Sequence, residues 1–185
     1  MRASHPTLLT VGRLMAEHRE VLIAEWADWL MARVSSATPM PRPTVERELQ
    51  LLYDLVVESV GPLRRMVREV WHHACEHYGR FSAARGLAAG EVVEELQYLR
   101  ELLIRRVGPV LTGLRPRQAM AIILRLSTTL DKGIAVAVAG YTDALVATMF
   151  TQSGVPAPDS ALDQHDIEKQ LEQIEGELAA LVKHR

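Results

Sequence analysis

Apolar residues recur along the chain three to four positions apart in successive blocks, which is the spacing of helices buried along one face. Leu14, Ile23, Trp26, Leu30 and Val34 mark the first block and predict one long helix over about 10–33. SSATPMPRP ends it, because three prolines within five residues cannot continue a helix. Thr44 offers an N-cap for a second helix to about Ser59, with Leu49, Leu52 and Val56 inward. Arg47 stands where a full capping box would carry Glu or Gln. Gly61-Pro62 then punctuates the chain, and a third helix is expected from Pro62 to Ala84. Its stripe is Val67, Val70, Trp71, Ala74, Tyr78 and Phe81. ARGLAAG connects it to a fourth helix over about Glu91 to Val107, with Gly86 as a left-handed C-terminal stop. Gly108-Pro109 and TGLRP predict another break before a fifth, most apolar helix from Arg117 to about Thr151. No hairpin signal of the Asn-Gly type occurs. The expected fold is an all-α bundle of about five core helices.

A second unit is predicted after residue 152. The stretch SGVPAPDS is small and proline-rich, so 153–163 reads as a linker. Beyond it Ile167, Leu171, Ile174, Leu178 and Leu181 are spaced four, three, four and three, with Glu168, Glu172, Glu175 and Glu177 outside the seam. That heptad pattern over 164–185 predicts a coiled-coil-like signalling helix that self-associates through those five residues. The other use of the seam is an amphipathic helix packed on its own domain over 1–152.

Composition narrows the class. The chain has 185 residues, 48% of them hydrophobic, enough for a sizeable core. A net charge of -2 argues against a general nucleic-acid binder. Charge is uneven: residues 60–125 hold eleven Arg against six acids, and residues 159–185 hold seven acids against three bases. The tail could dock on the basic middle or stay solvated. Cys75 is the sole cysteine, so neither an intramolecular disulfide nor a thiolate metal cluster can form. The N-terminus lacks the apolar core of a signal peptide. GIAVAVAGYT, the longest charge-free apolar stretch of the late helix, is well short of the roughly 20 residues that span a bilayer. A cytoplasmic protein without membrane or nucleic-acid partners is expected.

Candidate chemistry is sparse. Glu69 and His72 form one Glu-x-x-His motif, but a di-iron bundle needs two, and His72 shares a face with Arg65, Arg68 and Glu76. His73 and His77, four apart, could hold one metal from a single helical face, with a third ligand recruited elsewhere. His77 also borders the stripe of Val70, Ala74 and Phe81, as a haem ligand would, although two phenylalanines make a poor pocket lining. Gly86 to Gly90 lacks the Lys-Ser/Thr of a phosphate loop. A protein without catalysis or resident cofactor is therefore expected, the other reading being a haem- or metal-dependent sensor or oxidase using His73 and His77. Lone charges on apolar faces are more telling. Arg100 lies with Leu96, Leu103 and Ile104, and Asp131 lies among Leu124, Ile134, Ala135 and Val138. Paired in the interior, with Glu95 or Tyr141 as alternative partners, they would form a latch whose one-sided loss costs about 3–5 kcal/mol.

The run from His77 to Arg100, with His77, Gly79, Gly86, Glu95 and Leu99-Arg100, resembles the N-terminal sensory domain of RsbR-type stressosome proteins. The same domain precedes bacterial sensor histidine kinases. Asp131 to Tyr141 and the early Trp26 are similar to that family too, so the resemblance covers about residues 10–150. Here Tyr78 separates His77 from Gly79, and Ala84-Arg85 precedes Gly86 where the family often has glutamine. The resemblance implies a globin-like helical fold without haem, a homodimer, and a ligand-binding or structural site at His77, Arg85, Glu95, Arg100, Asp131 and Tyr141. It also implies a relay through the last helix to a separate histidine kinase or a STAS-type stressosome component, since no such domain follows that helix here.

Overall fold

The computed structural model describes residues 5–33, 41–61, 66–153 and 164–183, and among these every regular element is helical. In chain order they are α1 (His5–Glu17), α2 (Arg19–Arg33), α3 (Arg42–Val60), α4 (Arg68–Ala84), α5 (Ala89–Thr112), α6 (Pro116–Gln152) and α7 (Gln164–Lys183). The all-α bundle is as expected, and α4 lies at its centre against α3, α5, α6 and α7. The predicted stripe of Val67, Val70, Trp71, Ala74, Tyr78 and Phe81 is buried throughout.

Four boundaries differ from expectation. The first helix is two helices, broken at His18, whose backbone N–H is shared between Leu14 O and Met15 O while its ring Nδ1 also takes Leu14 O at 2.9 Å. A side chain competing for the helix's own acceptor disrupts the ladder there. Val34, assigned to that helix, lies outside the described residues. α3 starts at Arg42, before Thr44, with extended Pro41 at the N-cap and no side-chain cap. Pro43 fits the first turn because no donor is needed there. The predicted start of the third helix at Pro62 lies outside the described residues, and α4 begins at Arg68. Finally, α5 runs through Pro109 to Thr112 instead of stopping at Val107. The proline removes the N–H that would bond the Arg105 carbonyl, yet the helix continues for one more turn.

The predicted stop at Gly86 is present in full. Gly86 has φ 78°, its N–H bonds Ala83 O at 2.9 Å, and Leu87 N–H reaches Ser82 O at 3.2 Å. This pair of bonds closes α4 and reverses the chain into α5. Glu91 accepts from the Ala88 N–H at 2.7 Å, which caps the new helix from within its first turn.

α4 and α6 approach each other backbone to backbone. A Cβ added at Gly79 would stand 1.9 Å from Ala137 O, and one added at Gly140 would stand 2.3 Å from Glu76 O. Two helix backbones therefore touch through paired glycines. Gly133 makes room for the Trp71 ring in the same way, 2.4 Å from where a Cβ would lie. With 37 residues, α6 is long and apolar enough by length and composition to cross a membrane, contrary to the argument from its charge-free stretches. Its inner face, however, is spent on α4 and α5.

α7 packs on the same chain. Ile167, Leu171 and Ile174 are buried, and Leu178 and Leu181 are half-buried against the common core. The seam expected to self-associate is thus covered by α3 and α4, the alternative use that its pattern allowed. The acidic tail does find a base, but on α3: Arg47 grips Glu175 through two bonds of 2.8 and 2.6 Å.

Replacing Gly140 by Ala should force α4 and α6 apart and lower the denaturant midpoint by about 3 kcal/mol or more of stability, the upper end of overpacking costs. The Gly90→Ala control, where a Cβ meets nothing within 4 Å, should be neutral or slightly stabilising.

Candidate functional site

Consecutive residues on a helix point about 100° apart. His77, Tyr78 and Gly79 of α4 therefore face three different neighbours. Gly79 lies on α6. His77 Nε2 donates to Glu48 Oε1 of α3 at 2.7 Å, and its Nδ1 meets Gln170 Oε1 of α7 at 3.3 Å. Tyr78 OH donates to Glu95 Oε2 of α5 at 2.5 Å.

The first cluster is enclosed: the side chains of His77 and Glu48 are 2% and 1% exposed. Burial pushes the imidazole toward its neutral form, but the hydrogen bond to Glu48 and that carboxylate's charge outweigh it, so His77 is held above its ordinary value. Arg80 opposes the charge, and Gln170 supports it. With an acceptor oxygen at each ring nitrogen, the site fits an imidazolium. When His77 loses its proton, the Gln170 amide has only to turn over to offer its NH₂ to Nδ1. A cleft of about 250 Å³ between α4 and α7 opens beside this pair, lined by His73, Glu76, Arg80, Gln173 and Glu177.

The second cluster lies across α4. Arg85 reaches both Glu95 oxygens at 3.3 and 3.5 Å, with side chains only 3% and 4% exposed, and its guanidinium stacks over Phe81 at 5.4 Å. Burial raises the Glu95 carboxyl above the usual range, against the pull of Arg85 and Tyr78. Burial and the Glu95 charge hold the Tyr78 phenol well above its ordinary value. Tyr141 of α6 donates to Leu87 O of the connector at 2.8 Å, tying α6 to the turn that carries Arg85. Cys75 is buried and free, its thiol pushed up by burial, and it is poorly suited to nucleophilic work.

Of the six residues expected to form one site, His77, Arg85, Glu95 and Tyr141 surround α4 and its connector. Arg100 and Asp131 do meet, yet not in the interior: Asp131 is 62% exposed and Leu124 beside it is also exposed. α6 presents that face outward, so the expected cost of 3–5 kcal/mol does not apply, and exposed pairs contribute about 0–1 kcal/mol. Glu95 pairs with Arg85 and not with Arg100. His73 is exposed and lies 3.5 Å from Glu177, while His77 turns inward. Among the described residues, no group of three or more His, Cys, Asp or Glu is placed to hold a metal ion.

Sequence reasoning missed Glu48 and Gln170 and took Tyr78 only as core. The signal for Glu48 was present, since it stands among Val45, Leu49, Leu52 and Leu55 on the inward side of α3. Gln170 likewise sits three residues from Ile167 and four from Ile174, on the flank of the buried seam.

Residues 20–153 match the family model described as the RsbT co-antagonist protein rsbRD N-terminal domain. The chain belongs to this family. No curated protein and no solved structure matches the chain. The rsbRD N-terminal domain region takes in α2 to α6, with both buried clusters except Gln170, and leaves α1 and α7 wholly outside. The family is a stressosome signalling one, and its description names a co-antagonist of RsbT.

Arg85→Met should destabilise the rsbRD-type domain by about 3–5 kcal/mol, because it strands Glu95 without its cation. Adding Glu95→Gln should recover much of that loss, since the amide still accepts from Tyr78. Arg100→Leu should cost less than about 1 kcal/mol. Chemical denaturation midpoints of the wild type, Arg85→Met, Glu95→Gln and the double variant form a double-mutant cycle for the pair, and Arg100→Leu beside them tests the ranking.

Proposed function

We propose that this chain is a non-catalytic bacterial sensory or regulatory module, homodimeric and cytoplasmic, which passes its signal through α7 to a separate partner. That partner is a histidine kinase or a STAS-type component of a stressosome. The observation that carries the reading is the docking of α7 on a buried ionisable pair: Gln170 contacts His77, whose other nitrogen is on Glu48. A change in the charge of that pair is felt directly by the helix that lies beyond the family match. The module needs no resident cofactor, because both ring nitrogens of its inward histidine already have protein partners. A Soret band or stoichiometric metal in the purified protein would overturn that part of the proposal and return His73 and His77 to ligand roles.

The relay has a pH signature whose sign follows from the raised value of His77. The extra stabilisation is fully present below about 6.5, the ordinary value, and is lost as pH rises through the folded-state value. Hydrogen exchange in α7, corrected for intrinsic rates, should therefore be slowest near pH 6 and quicken toward pH 8.5. His77→Gln should remove this dependence while leaving α5 protected. Equal protection of wild-type α7 at both pH values would sink the relay through His77.

A further inference from the structure

Where the end of α3, the start of α4 and the middle of α6 meet, a cavity of about 30 Å³ remains. Its enclosed wall is polar. Ser59 of α3 is 3% exposed and Thr129 of α6 is 6% exposed, yet neither hydroxyl has a hydrogen-bond partner among the described residues. His72 of α4 lines the same cavity, and its Nε2 is buried without a partner. Buried polar groups in native proteins nearly always find partners, so three around one cavity mark a place that a bound species completes. The other polar atoms of the wall are spent. Trp71 Nε1 donates to Thr129 O at 3.1 Å, and the Thr128 hydroxyl donates to Leu124 O at 2.6 Å.

Charge decides what the cavity takes. Arg68 and Lys132 are exposed at its mouth, and among the described residues no carboxylate lines it. Glu69 meets Arg68 at 3.1 Å only as an exposed pair, and Asp131 is engaged by Arg100. The start of α4, where Val67 supplies no side-chain cap, adds the positive end of its dipole. At the end of α3, Gly61 O accepts from Arg125 at 3.0 Å, which offsets the negative end of that helix. A metal cation would meet two cations and no carboxylate, so the surroundings select an anion.

From this we infer that the cavity binds a phosphate group, either inorganic phosphate or a small phosphate monoester. The enclosed oxygens accept from the Ser59 and Thr129 hydroxyls and from His72 in the tautomer that carries its proton on Nε2. The remaining oxygens stay at the mouth with Arg68 and Lys132. Donors arriving from three helices suit a tetrahedral oxyanion, whereas a flat carboxylate would leave some of them unmet. The site stands whether or not a signal passes through His77, and a bound phosphate would give the sensory reading an input at the opposite end of α4 from its connector.

Isothermal titration calorimetry of the full chain with inorganic phosphate, in phosphate-free buffer at constant ionic strength, should show saturable binding of one ion per chain. Ser59→Ala and Thr129→Val should each weaken it at least about 10-fold, the loss of one hydrogen bond to a charged group. Neither hydroxyl has a partner in the free protein, so both variants should keep or raise the thermal midpoint without phosphate. Arg117→Gln, which removes an exposed cation fifteen residues from Lys132 on α6, should bind as the wild type does. Independently of any variant, the His72 ring ¹⁵N resonances of the wild type should shift along the titration. Glycerol phosphate separates the two sources: binding tighter than that of inorganic phosphate assigns the site to a monoester, and weaker binding to the free ion. No saturable binding of either up to about 10 mM overturns the proposal and leaves the cavity to water. Phosphate binding at full strength in both Ser59→Ala and Thr129→Val overturns it as well, because the ion then sits elsewhere.

Discussion

Backbone contact between α4 and α6 sets the geometry of everything around it. Gly79 and Gly140 each present bare backbone to the other helix, so the two axes approach more closely than any side chain would permit. A contact of this kind has no slack: it fixes where along α6 the residue Gly79 must lie, and how α4 is rotated. Once α4 is fixed in rotation, His77 has to face α3 and α7 and Tyr78 has to face α5. The two polar clusters are thus consequences of a steric constraint on the residue beside them. The same constraint turns the far side of α6 outward, where Asp131 and Leu124 are exposed.

Interior charge in this protein is economical. Among the described residues two pairs are nearly fully enclosed, His77 with Glu48 and Arg85 with Glu95, and each is completed by a neutral group, Gln170 or the Tyr78 hydroxyl. Such groups add little net stability over an apolar core, but removing one member strands the other. Their value is in specifying one arrangement. Arg85 is delivered by the Gly86 turn, and Tyr141 pins that turn to α6, so the connector is held from two sides. The exposed pairs, Arg100–Asp131 among them, have no comparable leverage.

Helix content, the buried stripe of α4 and the Gly86 stop could all be read from periodicity and one glycine, because these depend on local pattern. What could not be read was which face of α6 is inner. Leu124, Ile134 and Val138 look as apolar as Leu126, Leu130 and Ala137, and only the glycines that admit α4 decide between them. Asp131 was consequently placed inside. The break at His18 escaped for a similar reason, as no proline or glycine marks it. Glu48 was open to inference from its neighbours, whereas its pairing with His77, twenty-nine positions on, required the fold.

Gly176 lies near the middle of α7, and a Cβ there would meet open space. Nothing in the packing calls for a glycine at that point, and its presence weakens the helix by about 1 kcal/mol relative to alanine. Most helical stability in proteins comes from packing of an amphipathic face, and the 20 residues of α7 pack theirs on α3 and α4. α7 is therefore helical because it is docked. In the relay proposed above, its release from α3 and α4 would be a helix–coil transition and not the swing of a rigid lever, so a partner capturing the freed segment would have to fold it. Capture of that kind would trade affinity for a wide range of control, because any residue that alters the coil's helicity would alter the strength of the proposed signal.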